Sequence, residues 1–217
     1  GTMKKYFVYL MMAFAVTAFV SCTSEDPVSD ETTEQTGGQD STDNQNTADT
    51  VTVTVESNIL VAYFSWSGNT ERMAEQIVSL TGADLFSIEP VTPYPEDYTA
   101  CTEVALAERD SDARPAIRTT IDADAWATYD TVFIGCPVWW HTAPMIINTF
   151  TESYDFTGKT VVPFCTYAST YRDETLARIV ELTPEAEAHL DGLGLTGGRL
   201  NDESNVADWL RGIGVIE

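Results

Sequence analysis

Ile59-Leu60-Val61-Ala62-Tyr63-Phe64-Ser65-Trp66-Ser67-Gly68-Asn69-Thr70 is the stretch on which the fold of this chain turns. Its apolar first half reads as a strand buried on both faces. Hydroxyls and a glycine follow, and Met73, Ala74, Ile77 and Val78 then recur at the spacing of an amphipathic helix. A turn of this kind aims free backbone N–H groups and Ser/Thr hydroxyls at the positive end of a helix, which suits a phosphate monoester. Ser65, Trp66, Ser67, Gly68, Asn69 and Thr70 are therefore candidate ligands of a single phosphate on a larger molecule. The loop lacks the Gly-Lys-Ser/Thr ending of a nucleoside-triphosphate P-loop, and it is not the GxGxxG of dinucleotide folds. The plainer alternative is a tight strand-to-helix turn built from small residues.

The pattern continues as alternating strand and helix. Strands are expected at 59–65, 84–89, 131–136, 160–165 and about 189–195, and helices at 69–81, 98–110, 143–152, 172–182 and 203–212. Thr131–Cys136 and Thr160–Cys165 are apolar on both faces, as strands covered by helices on each side should be. The expected fold is α/β, a doubly wound five-stranded parallel sheet in the order 2-1-3-4-5. Pro163 is an objection to a central strand, and Gly192, Gly194, Gly197 and Gly198 dilute the last one. Prolines break residues 89–130 early and late, which predicts a helix plus an irregular excursion.

In such a sheet a ligand lies outside the carboxyl ends of the strands, near the point where strand order reverses. The loops after the third and fourth strands therefore join the first. Pro137, Val138, Trp139, Trp140, His141 and Thr142 come from one; Thr166, Tyr167, Ala168 and Tyr171 come from the other. Aromatic faces stack well on a flat heterocycle. Trp140 is expected against the ring with Trp139 turned inward, the reverse assignment being the alternative, while Tyr167 and Tyr171 compete for the second stacking position or belong to the core. His141 either donates to the ligand or is an ordinary polar loop residue. Cys136 and Cys165 end strands that should be neighbours and are expected as buried free thiols, with a geometrically demanding disulfide between them as the alternative. Cys101 is expected as a helix residue without function. Arg114 and Arg118 either receive an anionic substrate or pair with neighbouring acids.

These residues resemble the flavodoxins. Ser65, Ser67, Gly68 and Thr70 fall on the Ser/Thr-x-Ser/Thr-Gly-x-Thr fingerprint of that family. Further blocks match in order: Tyr94-Pro95-x-x-Tyr98, Ala113-Arg114-Pro115, Pro137-x-Trp139-Trp140-x-x-Ala143-Pro144, Glu152-Ser153-Tyr154-Asp155-Phe156-x-Gly158-Lys159 and Pro163-Phe164-Cys165-Thr166. Together they look like a flavodoxin-like subfamily of secreted and lipoprotein-type members, over most of residues 58–182. The resemblance implies FMN as cofactor, its phosphate held without cationic side chains. One departure is the loop from Tyr167 to Asp173, which has no glycine where family members often have several. The implied function is electron transfer by an FMN-binding redox protein at the bacterial cell envelope. The alternatives are an FMN-dependent NAD(P)H:quinone or nitro-compound reductase, and a flavodoxin-fold binding module that has lost flavin.

The N-terminal quarter is of another kind. Lys4-Lys5, an apolar run from Tyr6 to Val20 and then Ser21-Cys22 read as a signal peptide, 1–22, with an h-region too short for a comfortable membrane span. Cys22 looks like the lipidated cysteine of a bacterial lipobox, although Phe19 stands where leucine is usual; an ordinary secretory signal is the alternative. Residues 23–57 hold acids, no bases and few large apolar residues, so an acidic disordered linker is expected, with an extended lead-in at Val51–Val55. One domain, 58–217, follows. The chain has 34 Asp and Glu against 11 Lys and Arg, a formal net charge of −23, which makes nucleic acid a poor partner. The expected partners are a redox protein or a small acceptor such as a quinone, with the membrane met only through the N-terminal lipid.

Overall fold

Alternation along β1 (Ile59–Tyr63) sets up the two layers of the molecule. Leu60 and Ala62 point to one face of the sheet, Val61 and Tyr63 to the other, and all four are buried. A computed structural model describes residues 58–217 of the chain. The expected signal peptide, Cys22, the acidic linker and Val51–Val55 lie outside the described residues.

The elements run β1, α1 (Asn69–Thr81), β2 (Asp84–Ser87), α2 (Tyr98–Asp110), α3 (Ala123–Thr128), β3 (Thr131–Pro137), α4 (Met145–Glu152), β4 (Thr160–Tyr167), α5 (Arg172–Glu181), β5 (Ala188–His189), β6 (Leu193–Thr196) and α6 (Ser204–Gly212). Every strand pairing is parallel, and the order is β2-β1-β3-β4-β5 with β6 also on β4. The expected order holds, and so do nearly all the expected elements. On one face α3, α4 and α5 bring Trp126, Ile146, Ile147, Phe150 and Ile179 onto Leu60, Ala62, Val132, Ile134 and Val161. On the other, α1 and α6 bring Met73, Ala74, Ile77, Val206 and Leu210 onto Val61, Phe133, Val162 and Phe164. Full burial of a side chain such as Met73 or Ile77 is worth about 1.5–3 kcal/mol.

The expected fifth strand is two strands, and Pro163 supplies the reason. The ladder with β5 ends at Val161↔His189 and resumes with β6 at Phe164↔Leu193. Val161 accepts from Leu190 N–H on that edge, and the two-residue period turns Pro163 to the same edge, where it has no N–H to give. The chain bends past it at Gly192, whose hydrogen faces the Pro163 carbonyl so closely that a Cβ would lie 2.6 Å from the oxygen. Two short elements escape the periodicity. One is α3, capped by Asp122, whose side chain accepts from Ala125 N–H at 2.9 Å. The other is a single 3₁₀ turn at Arg199–Asn201. The fourth helix begins at Met145, two residues after the expected start, because Pro144 holds an extended backbone in front of it. No described helix is long and apolar enough to cross a membrane.

Candidate active site

The loop after β1 enters α1 through Gly68, whose φ of +82° is left-handed backbone. A Cβ there would meet nothing within 4 Å, so the glycine answers to the dihedral and not to space. No side chain caps α1, and its first N–H groups have no carbonyl of the helix in front of them. Ser65 Oγ is buried without a hydrogen-bond partner. An orphaned hydroxyl beside uncapped helix N–H groups fits an acceptor-rich anion such as a phosphate monoester. Thr70, 1% exposed, shares a 2.8 Å hydrogen bond with the hydroxyl of Thr166 at the end of β4. Asn69 donates to Ser67 Oγ, and Trp66 Nε1 donates to Pro95 O at 3.0 Å, turning that indole toward α2.

The loop after β3 folds back as a tight turn. Trp139 and Thr142 exchange N–H···O bonds of 3.0 Å in both directions, and the residues between them, Trp140 and His141, have φ of +46° and +71°. This two-residue turn normally selects Asn-Gly, so an indole and an imidazole here hold stored strain. Trp139 packs edge-on against Phe64 and Tyr94 at centroid distances of 5.2 and 4.9 Å. Trp140 points outward, 38% exposed, with Nε1 donating to Thr102 O at 2.8 Å and the Arg109 guanidinium 5.6 Å above its ring. His141 stacks on Tyr171 across to the β4 loop, with centroids 3.7 Å apart. Tyr171 is itself left-handed, at φ +64°. Val138 N–H donates to Thr166 O and ties the two loops together.

All three loops open onto a cavity of about 640 Å³ at the carboxyl ends of the strands. That volume lies in the ordinary range of small-ligand sites. Trp66, Ser67 and Asn69 line it from the first loop, Pro137 to His141 from the second, and Thr166, Tyr167 and Ala168 from the third. Ser65, Gly68, Thr70, Thr142 and Tyr171 do not; they shape the backbone or sit behind the wall. The opposite wall is the face of α2 carrying Tyr98, Cys101, Thr102 and Ala105, and Gly197 closes it from beyond β6. Cys101, expected to have no role, is thus part of the cavity. These α2 positions recur at i, i+3, i+4 and i+7, a stripe visible in the sequence but indistinguishable there from a core-facing one.

No Lys or Arg lies among the lining residues, and His141 is the one basic side chain there. Arg114 pairs with Glu152 and Asp112 at 2.8 Å and Arg118 with Glu89 at 3.7 Å; neither reaches the cavity, so the ion-pair alternative holds. Behind Trp139, Tyr94 O–H donates to Glu108 at 2.8 Å, and burial raises the Glu108 carboxyl above its ordinary range. Cys136 and Cys165 face each other in register as free, buried thiols. Burial pushes Cys165 up to about 12 and Cys136 well above its usual value, which disfavours the thiolate at both.

A family model described as Flavodoxin matches residues 58–213. A Bacteroides eggerthii protein assigned as a flavoprotein shares 37% identity, with a TM-score of 0.62 over 71% of this chain and 96% of that one. A Bacteroides uniformis protein similarly assigned shares 34%, with a TM-score of 0.60 over 70% and 97%. A flavoprotein from Lactobacillus acidophilus, solved in complex with FMN, shares 26%, with a TM-score of 0.56 over 70% and 97%. No curated protein matches the chain.

Proposed function

This chain belongs to the flavodoxin family, and from that premise we propose that it is an FMN-binding redox protein that carries electrons at the bacterial cell envelope. The observation that carries this reading is the single cavity joining a hydroxyl-rich helix N-terminus to two aromatic loops at the carboxyl ends of the strands. The site would take the phosphate at Ser65–Thr70, by uncapped N–H groups and hydroxyls, and the flat ring against Trp140 and Tyr167. FMN supplies the electron-accepting chemistry when bound; the protein supplies orientation and electrostatics. The L. acidophilus flavoprotein in complex with FMN supports the cofactor.

No Lys or Arg lines the cavity, and the guanidinium nearest it, Arg109 over Trp140, is paired with Asp110 at 2.7 Å, so among the described residues a second anionic molecule has no free cation to meet there. That favours a redox partner protein or an uncharged acceptor such as a quinone over a nicotinamide dinucleotide. A second reading, an FMN-dependent NAD(P)H:quinone or nitro-compound reductase, is favoured by the α2 wall, which widens the cavity beyond the three loops. Steady-state oxidation of NAD(P)H in the presence of a quinone would establish it. The tether is proposed to be a lipid on Cys22. Cys22→Ser should move the protein from the membrane to the soluble fraction of expressing cells, and retention at the membrane would refute the lipid anchor.

The test of the cofactor is the visible spectrum of the protein lacking residues 1–22, as purified and during titration with FMN. Flavin bands that saturate, with quenched fluorescence, are the expected result. A folded sample that leaves high-micromolar FMN unbound would overturn the redox reading.

A further inference from the structure

We propose that Thr166, on the β4 side of the site, acts with Thr70 as one two-hydroxyl donor unit for the phosphate end of the ligand, so that the third loop as well as the first sets phosphate recognition. The proposal rests on the FMN reading above. The two side-chain oxygens lie 2.8 Å apart, 96 residues apart in sequence, and the residues are 1% and 5% exposed. Each hydroxyl carries one proton and can also accept. The pair therefore holds two protons and uses one in the bond between them. Neither hydroxyl has a second side-chain or backbone partner among the described residues, which leaves one proton over in a buried place. A donor left unshared there is costly, and an anion at the N-terminus of α1 is the acceptor that would take it. Thr166 stands on the cavity wall and Thr70 behind it in the first turn of that helix, so Thr70 donates to Thr166 and Thr166 presents the remaining proton to the ligand. Removing one breaks the unit, because the survivor then has neither its fixed direction nor its polarising partner.

Fluorescence titration of FMN and of riboflavin, which lacks the phosphate, separates this role from a structural one. Thr166→Val and Thr70→Val should each weaken FMN about 10- to 100-fold, the range for a hydrogen bond to a charged group. Both should leave riboflavin within about 2-fold, and the double variant should be no worse than about 3-fold below either single one, as for residues acting as a unit. Thr166→Ser, which keeps the hydroxyl, should stay within about 3-fold of the parent protein. Equal losses for FMN and riboflavin, unchanged FMN binding, or additive losses in the double variant would overturn the proposal. If Thr166→Val does not fold by circular dichroism, Thr166→Cys keeps the volume, weakens the donor and is held to the same outcomes. A parent protein that binds FMN no more tightly than riboflavin would sink the phosphate reading itself; a discriminating parent with equally discriminating variants would sink only the donor unit.

Discussion

Four residues around the cavity mouth hold left-handed backbone, and only Gly68 does so without cost; Trp140, His141 and Tyr171 carry Cβ atoms in a region that disfavours them. Their strain is held by contacts on either side: Trp140 by Thr102 and Arg109 of α2, His141 and Tyr171 by each other. Backbone strain of this kind clusters at ligand sites, where surrounding contacts over-determine the conformation. Gly68→Ala isolates the backbone term, because the new methyl would touch nothing. It should lower unfolding free energy by about 1–2 kcal/mol in a urea titration, the left-handed penalty for an L-residue, and weaken FMN binding by misaiming the first N–H groups of α1. An unchanged urea midpoint would show that the loop relaxes freely.

At the scale of elements, close approaches place the strands that end in the site. The Phe164 ring of β4 fills the space beside Gly135 of β3, so that a Cβ there would overlap it. Gly135→Ala should cost about 1–3 kcal/mol by overpacking. Phe164→Leu should then be far less damaging in the Gly135→Ala background than alone, a coupling readable in a double-mutant cycle of urea unfolding. Additive costs would refute the clash. A second device is the hydrogen bond between Tyr94, before α2, and Glu108 within it, behind Trp139. Burial is the main cause of the raised Glu108 pKa, against an ordinary value of 4.5. A carboxyl raised on folding stabilises fully below its unfolded pKa, and that contribution is lost as pH rises through the folded value. Relative to Glu108→Gln, whose amide oxygen still accepts from Tyr94, the parent protein should lose stability as pH rises from about 4.5 through that window. Parallel pH–stability curves for the two proteins would refute it.

For the whole molecule the dominant quantity is charge. A formal net charge of −23 makes the chain self-repelling, and added salt should raise its midpoint of thermal unfolding by screening. The same field acts on partners: electron exchange with a cationic protein should slow steeply between low and physiological ionic strength, whereas exchange with a neutral quinone should not. Salt-independent exchange with both would remove the net negative charge from recognition. Much of this architecture was legible in the residues. The alternation of strand and helix and the boundaries of α1 and α2 follow from local periodicity and turn chemistry, which act between neighbours in the chain, and the strand order is the simplest doubly wound arrangement of those elements. Beyond that reach lay the short α3, the division of the last strand opposite Pro163, the α2 wall of the cavity, and the bond between Thr70 and Thr166. Each of these depends on which distant segments meet. A stripe on α2 reads the same whether it faces a core or a ligand, and a hydroxyl does not reveal its partner 96 residues away. The doubly wound sheet and the candidate phosphate loop can be read from the residues alone, because strand–helix alternation and turn chemistry are contiguous pattern. The shape of the cavity and the pairing of Thr70 with Thr166 come only with folding, because packing brings those groups together from separate parts of the chain.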